Sequence, residues 1–340
     1  MLKSTSLLIR RIFNFHKLWN SALLYTSYAF SVVLRKPLVW GYPPAVMIEP
    51  TDVCNLKCPL CPSGNGSLQR AKGFMTLEMY KCIIDQIKPY SYINVLWNQG
   101  ESFLNPNFTE MIAYSSKMGL YTLASTNANI VMNHDSIVKS GLGRLIVSID
   151  GATQETYNKY RVNGNLDLVI NNVKALMEAK KRLKSDTPVI ELQFLVMKHN
   201  EHEIEAIRRL ADELKVDQLR LKTVQIYSKE DVYTYLPENP KYRRYKINGD
   251  NFELKFGIRN RCRRIWTNPV INWNGDMAVC CFDKEGSIKL GNIKDYSFIE
   301  LWKGRKFMAF RKAILTNRKQ FDICLNCGEG VKLNIEEKNN

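Results

Sequence analysis

Between Tyr42 and Thr223 short apolar runs alternate with longer stretches in which apolar positions recur every three or four residues. Short continuous runs predict buried strands, and the 3.6-residue period predicts helices. The strand candidates are 45–49, 92–97, 121–125, 145–149, 189–196 and 218–223. Between them, 76–88, 108–118, 134–140, 166–183 and 201–214 carry the helical period. Strand–helix alternation at this spacing predicts an α/β fold, a parallel sheet with helices outside, curled into a partial (βα)6 barrel. A full eight-unit barrel needs two more strands before the next cysteine group, and none are found.

Outside this block the pattern changes. Residues 18–34 are free of charge and lie between Lys17 and Arg35; Asn20, Ser27 and Ser31 share one helical face. A helix of this length is roughly 25 Å long, short of the ~30 Å hydrocarbon core. No small-residue cleavage site follows a clear hydrophobic region, which argues against a signal peptide. Residues 1–42 therefore read as a basic amphipathic helix that either lies on a membrane surface or packs against its own protein. Residues 43–224 form the barrel, and 225–260, rich in Tyr, Lys, Asn and Pro, read as a linker. Residues 261–330 form a small Cys-rich domain and 331–340 a tail. There is no internal repeat.

Cysteine placement carries the chemistry. Cys54, Cys58 and Cys61 fall within eight residues as C-x3-C-x2-C, directly after the first predicted strand. Thiolates are soft ligands for iron–sulfur clusters or zinc. Zinc sites favour paired C-x2-C or His spacings, and no His lies near this loop, so the spacing favours iron–sulfur. A second group comprises Cys262, Cys280, Cys324 and Cys327. The first two flank a predicted hairpin turning at Asn274–Gly275, and the last two form a C-x2-C loop. Four thiolates can close either a cubane or a zinc ion, and they would staple a domain with little core. Cys281 is a spare thiol, and Cys82 reads as helix core. Nine cysteines, odd in number and closely spaced, fit metal ligation in a reducing, cytoplasmic compartment.

The C-x3-C-x2-C loop after a first strand resembles the signature of the radical S-adenosylmethionine (SAM) enzymes. The resemblance implies that Cys54, Cys58 and Cys61 hold a [4Fe-4S] cluster whose fourth iron is chelated by SAM. One electron then cleaves SAM to methionine and a 5′-deoxyadenosyl radical, which takes hydrogen from the substrate. It further implies cofactor contacts at strand ends: Leu60 beside adenine, Gly100 and Glu101 as a Gly-Glu motif at the SAM amino group, Ser125 and Asn127 after strand three, and Ser148 and Asp150 after strand four. Gln99, Ser102 and Ala128 depart from the family's motifs. Gln193, polar in an apolar strand, needs a partner, either the ribose or a neighbouring strand.

The later cysteines, with Gly291–Asn292–Ile293 and Leu301–Trp302 between them, are similar to the twitch form of the SPASM extension. This implies one auxiliary [4Fe-4S] cluster, fully ligated and accepting an electron after hydrogen abstraction. Cys281 and Asp283 then stand as catalytic candidates, the first as hydrogen donor, alternative ligand or simply a buried thiol, burial being the default for a free cysteine, and the second as base. The implied reaction is oxidation of a carbon centre in a sugar, aminocyclitol or peptide, served by a one-electron reductant such as flavodoxin or ferredoxin.

The net charge of +16 is concentrated in residues 1–48, in 241–264 and in 303–312. It favours anionic partners: a phosphorylated substrate, nucleic acid or an anionic membrane. A non-catalytic zinc protein binding nucleic acid, or a radical SAM enzyme modifying RNA, are the competing readings; no aromatic-basic recognition motif supports nucleic acid.

Overall fold

The computed structural model describes residues 14–248, 251–329 and 334–339. Six parallel strands form its centre: β1 (Ala45–Ile48), β2 (Ile93–Leu96), β3 (Tyr121–Thr126), β4 (Arg144–Ser148), β5 (Val189–Val196) and β6 (Gln218–Thr223), each paired with the next. Residues alternate between faces. Val46 and Ile48 of β1 join a large core with Tyr80, Ile83, Ile84 and Ile87 of the helix Leu77–Ile87, while Met47 packs on the opposite, inner face with Val95. Helices Phe108–Lys117, Leu166–Arg182 and Ile204–Glu213 cover the outer face further along. The six βα units expected from the hydrophobic pattern are present.

Four expectations are corrected or refined by the structure. Cys82 is exposed, because Tyr80, Ile83, Ile84 and Ile87 already occupy the inward face of its helix. Residues 225–260 are not a bare linker. They contribute Ile226, Leu236 and Tyr245 to a second core with Leu56, Cys58, Leu60 and Tyr160, and fold a hairpin, β7 (Tyr245–Asn248) and β8 (Asn251–Leu254). The Cys-rich region does not stand apart either. Its hairpin, β9 (Val270–Ile271) and β10 (Asp276–Ala278), turns through Gly275 at φ +91° and adds β9 parallel to β1; β11 (Lys289–Asn292) follows β10. Within the expected tail, β12 (Asn334–Asn339) pairs antiparallel with β6, giving one ten-stranded sheet.

The N-terminal helix spans Phe15–Leu34, capped by the Asn14 side chain. Among the described residues, no helix is long and apolar enough to cross a membrane.

Candidate functional site

The loop after β1 brings Cys54, Cys58 and Cys61 together at the carboxyl end of the barrel strands. Cys61 N donates to Cys58 O, and Cys61 precedes the short helix Pro62–Asn65. Gly64 lies against this loop so closely that a Cβ there would sit 2.6 Å from Cys58 N. Gly100, at φ +74°, approaches the lead-in to the loop in the same way, since a Cβ would meet Thr51 O at 2.6 Å. The glycine of the expected Gly-Glu motif is thus required by backbone approach.

Burial pushes the Cys54 thiol up to about 11, opposed by the Leu56 N–H and reinforced by the neighbouring Glu101, Cys61 and Cys58. Burial also raises Cys58, while Arg161 beside it acts in the opposite direction. Arg161 Nη1 lies 3.8 Å from Cys58 Sγ, and Asn127 Nδ2 lies 3.8 Å from Cys54 Sγ. Arg161 Nε donates to Asp150 Oδ2 at 2.6 Å, and Asp150 Oδ1 accepts from Leu195 N at 2.8 Å. Asp150 therefore orients Arg161 towards a sulfur. Sequence reasoning missed Arg161; the available sign was a pair of cations, Lys159 and Arg161, between the fourth strand and the helix Leu166–Arg182.

The remaining strand-end candidates divide in two. Leu60, Gly100 and Gln193 line a cavity of about 310 Å³ together with Cys61, Gln99 and Lys222. The partner of Gln193 is Lys222 on the neighbouring strand, Nζ to Oε1 at 2.9 Å. Ser148 sits beside Gln193 in register on β4. Glu101 does not line the cavity. It is buried, accepting from Asn127 N at 2.6 Å and Phe103 N at 3.2 Å, and burial raises its carboxyl above the ordinary value. Ser125 lies within β3, and the Asn127 side chain bonds Asn55 Oδ1 at 3.0 Å. Ala128 holds φ +54°, the left-handed conformation that explains why glycine suits this position better.

A hub that the sequence reading did not single out closes the other side. Glu49 at the end of β1 is fully buried and takes a two-pronged ion pair from Arg70, at 2.7 and 2.6 Å. Burial pushes its carboxyl up, with Arg70 opposing. Glu49 also accepts from Gln99 N and Asn98 Nδ2, and Arg70 Nε donates to Lys284 O. One buried acid thus ties the first strand, the second strand's loop and the Cys-rich region together. An acid ending an apolar strand was the available sign.

The second thiol group gathers Cys262, Cys280, Cys324 and Cys327, all buried, with Cys281 half-buried nearby. Cys262 is pushed up to about 12 by burial, and Cys280 is raised first by burial and then by Cys281. Arg264 is raised first by the Cys281 thiol, and Arg318 stands near Cys262, Cys327 and Cys324. Cys281 itself packs on the inner face of the sheet against Met47, Val95, Val270 and Ala278, outside the cavity lining. Asp283 is 1% exposed and closes its own loop, accepting from Ser287 N, Ser287 Oγ and Ile288 N. Those bonds staple the loop through the residue expected from sequence as a base.

Both donor sets fit an iron–sulfur group. They are sulfur only and mutually repelling when ionised, the second set wholly buried and the first with Cys58 buried and Cys54 and Cys61 half-buried, an arrangement favoured around a cationic core. The thiols are neighbours without converging on one point: among the described residues, no group of three or more His, Cys, Asp or Glu gathers as a single-ion site.

Comparison with known proteins agrees with this geometry. Residues 48–211 match the family model of the radical SAM superfamily, and residues 262–328 match that of the SPASM iron–sulfur cluster-binding domain. The PqqA peptide cyclase of Bradyrhizobium diazoefficiens is 26% identical over 190 residues, covering 55% of this chain and 48% of that one. The chain spans about half the length of the first curated relatives it matches. Among solved structures, BtrN in complex with AdoMet and 2-DOIA superposes at TM-score 0.52 and 16% identity over 84% of this chain and 93% of that one. SuiB of Streptococcus suis bound to SAM gives 0.59 and 16%, covering 84% and 71%. At such identity these two likenesses show the fold. The family matches bring with them a [4Fe-4S] cluster, SAM and iron–sulfur ligation in the C-terminal region. The chain belongs to the radical SAM superfamily and carries a SPASM-type C-terminal region.

Proposed function

We propose that the protein is a radical SAM oxidoreductase that oxidises a carbon centre of an oxygen-rich, anionic small molecule or of a peptide. When bound, the cluster and SAM supply a 5′-deoxyadenosyl radical at the barrel mouth, and an auxiliary cluster supplies a sink for the second electron. Cys54, Cys58 and Cys61 would hold the first, and Cys262, Cys280, Cys324 and Cys327 the second. Leu60 offers an apolar wall. Gln99 and Gly100 offer backbone and amide contacts on one side of the cavity, and Gln193 a polar one across from them. Arg161, fixed by Asp150, keeps positive charge beside the first thiol group.

The observation that carries this reading is the cavity, which runs from Cys61 of the first loop to Lys284 of the C-terminal region. A substrate seated there would lie against the first thiol loop and reach the C-terminal region at Lys284. Its far wall is cationic, with Lys222, Arg244 and Lys284, and among the described residues no carboxylate lines it. Burial lowers Lys222, and the nearby Arg220, Arg244 and Arg264 add to that while Glu191 opposes it. An anionic group on the substrate would relieve this crowding, whereas a protonated amine would be repelled. The wall therefore favours a carboxylate, a phosphate or a peptide acid over an aminocyclitol. A one-electron donor of flavodoxin or ferredoxin type completes the system.

The test is 5′-deoxyadenosine formation by anaerobically reconstituted protein under reductant. The parent should form it from SAM, and Cys58→Ala should fall to the buffer background. Equal rates in both would end the proposal. Formation should rise with an anionic substrate, and Lys222→Met should remove that rise while leaving uncoupled cleavage in place.

A further inference from the structure

The N-terminal helix is built inside out. Its buried face is polar: Lys17, Asn20, Ser21, Ser27 and Ser31, with Leu24 the one large apolar side chain among them. The reason is the chain's return path, which runs back along the helix and uses these side chains as partners. Asn20 bonds both N and O of Tyr42, at 2.8 and 3.0 Å. Ser31 accepts from Leu38 N and donates to Leu38 O; Ser27 accepts from Trp40 N. Lys17 Nζ donates to Ser91 O at 2.7 Å, and Ser21 bonds the Tyr92 hydroxyl. Gly41 fits against the helix because a Cβ there would lie 2.4 Å from Asn20 O.

The apolar face is left outward. Phe15 is 85% exposed, Trp19 59%, Phe30 48%, Val33 78%, Leu34 55% and Trp40 46%. The helical positions form two groups at three- and four-residue spacing, Phe15 with Trp19 and Phe30 with Val33 and Leu34, eleven residues or about three turns apart on one face; Trp40 joins the second by packing on Phe30 at 5.8 Å. Large apolar side chains exposed along one face of a helix mark an interaction surface.

Charge identifies the occupant. Residues 1–48 contain no acid, and neither do residues 301–321, whose helix Arg305–Asn317 lies alongside. Lys312 Nζ donates to Arg35 O at 3.1 Å, placing its charge at the rim next to Arg35 and Lys36. Lys303 sits over the Tyr42 ring at 4.6 Å. An aromatic and aliphatic face with tryptophans, rimmed by lysine and arginine, matches an anionic bilayer surface. We propose that this face docks the protein on anionic lipid, with the helix lying in the interface. Tyr42 and Ser91 immediately precede β1 and β2, so the docking face is at the amino end of the strands and the cavity mouth is directed away from the bilayer.

The protein, prepared anaerobically, is sedimented with vesicles of phosphatidylcholine alone or with phosphatidylglycerol at about 30%, at physiological and high salt. Binding to anionic vesicles should exceed that to neutral ones about tenfold and fall at high salt, with a blue shift of tryptophan emission. The triple variant Trp19→Ser, Phe30→Ser, Val33→Ser should lose about tenfold, with unchanged far-UV circular dichroism and deoxyadenosine formation. Arg35→Ser with Lys36→Ser and Lys312→Ser should lose the preference for anionic lipid alone. Equal pelleting of parent and triple variant, or no pelleting of either, overturns the proposal. So does sedimentation velocity showing a dimeric parent and a monomeric triple variant, which would give the face to a second copy.

Discussion

The two thiol groups are built in opposite ways. The first lies within eight residues, on one loop, directly after one strand. The second is assembled from Cys262, from Cys280 at the end of a hairpin, and from the Cys324–Cys327 turn, more than forty residues further on. The first is shaped by backbone, with Gly64 and Gly100 allowing close approach and Arg161 set by Asp150. The second is shaped by charge, with Arg264 and Arg318 standing among buried thiols. A local loop needs only a well-placed strand to form. A dispersed set also needs something to draw its segments together, and buried thiolates around a cationic core can supply that.

If this contrast is right, the two groups respond differently to damage. Cys324→Ala with Cys327→Ala should abolish oxidised product, halve bound iron and lower stability, while deoxyadenosine formation stays within about tenfold of the parent. Loss of both activities together would mean that the groups are not separable. Arg161→Lys removes the planar fork between Asp150 and Cys58, and deoxyadenosine formation should fall about 10- to 100-fold with product falling in step. An unchanged rate would show that the backbone alone shapes the first loop.

Arg70→Ala sharpens the comparison, because Arg70 and Glu49 join the first loop's strand to the C-terminal region. Leaving Glu49 buried without its partner should cost about 3 kcal/mol in denaturant unfolding, and Glu49→Gln in the same background should recover part of it. The smallest effect is expected at Cys281→Ser, whose thiol packs on the inner sheet face outside the cavity. Iron content and deoxyadenosine yield should stay at the parent's level. A drop in iron would make Cys281 a ligand, and loss of product alone would make it a hydrogen donor.

The same contrast explains what was legible in the sequence. Six strands and the first cysteine loop could be read because periodicity and short spacing are local signals. Gln193 announced its need for a partner but not that Lys222 would fill it, since register between β5 and β6 is a tertiary fact. The joining of β9 to β1 was hidden for the same reason. Segment 225–260 looked like a linker because its core residues are sparse and become a core only against Leu56, Leu60 and Tyr160. Asp283 looked available because nothing local shows that three donors of its own loop surround it. In the N-terminal helix the polar stripe was visible; that it faces inward follows from the return segment, which pattern alone does not reveal.

The central claim is that two sulfur-only sites hold two iron–sulfur clusters. Iron, zinc and acid-labile sulfide are measured on anaerobically reconstituted parent and on the variant Cys54→Ala, Cys58→Ala, Cys61→Ala. The parent should carry about eight irons and eight sulfides, and the variant about four of each. Stoichiometric zinc without sulfide in the parent, or a variant that retains the parent's full iron, would contradict the account.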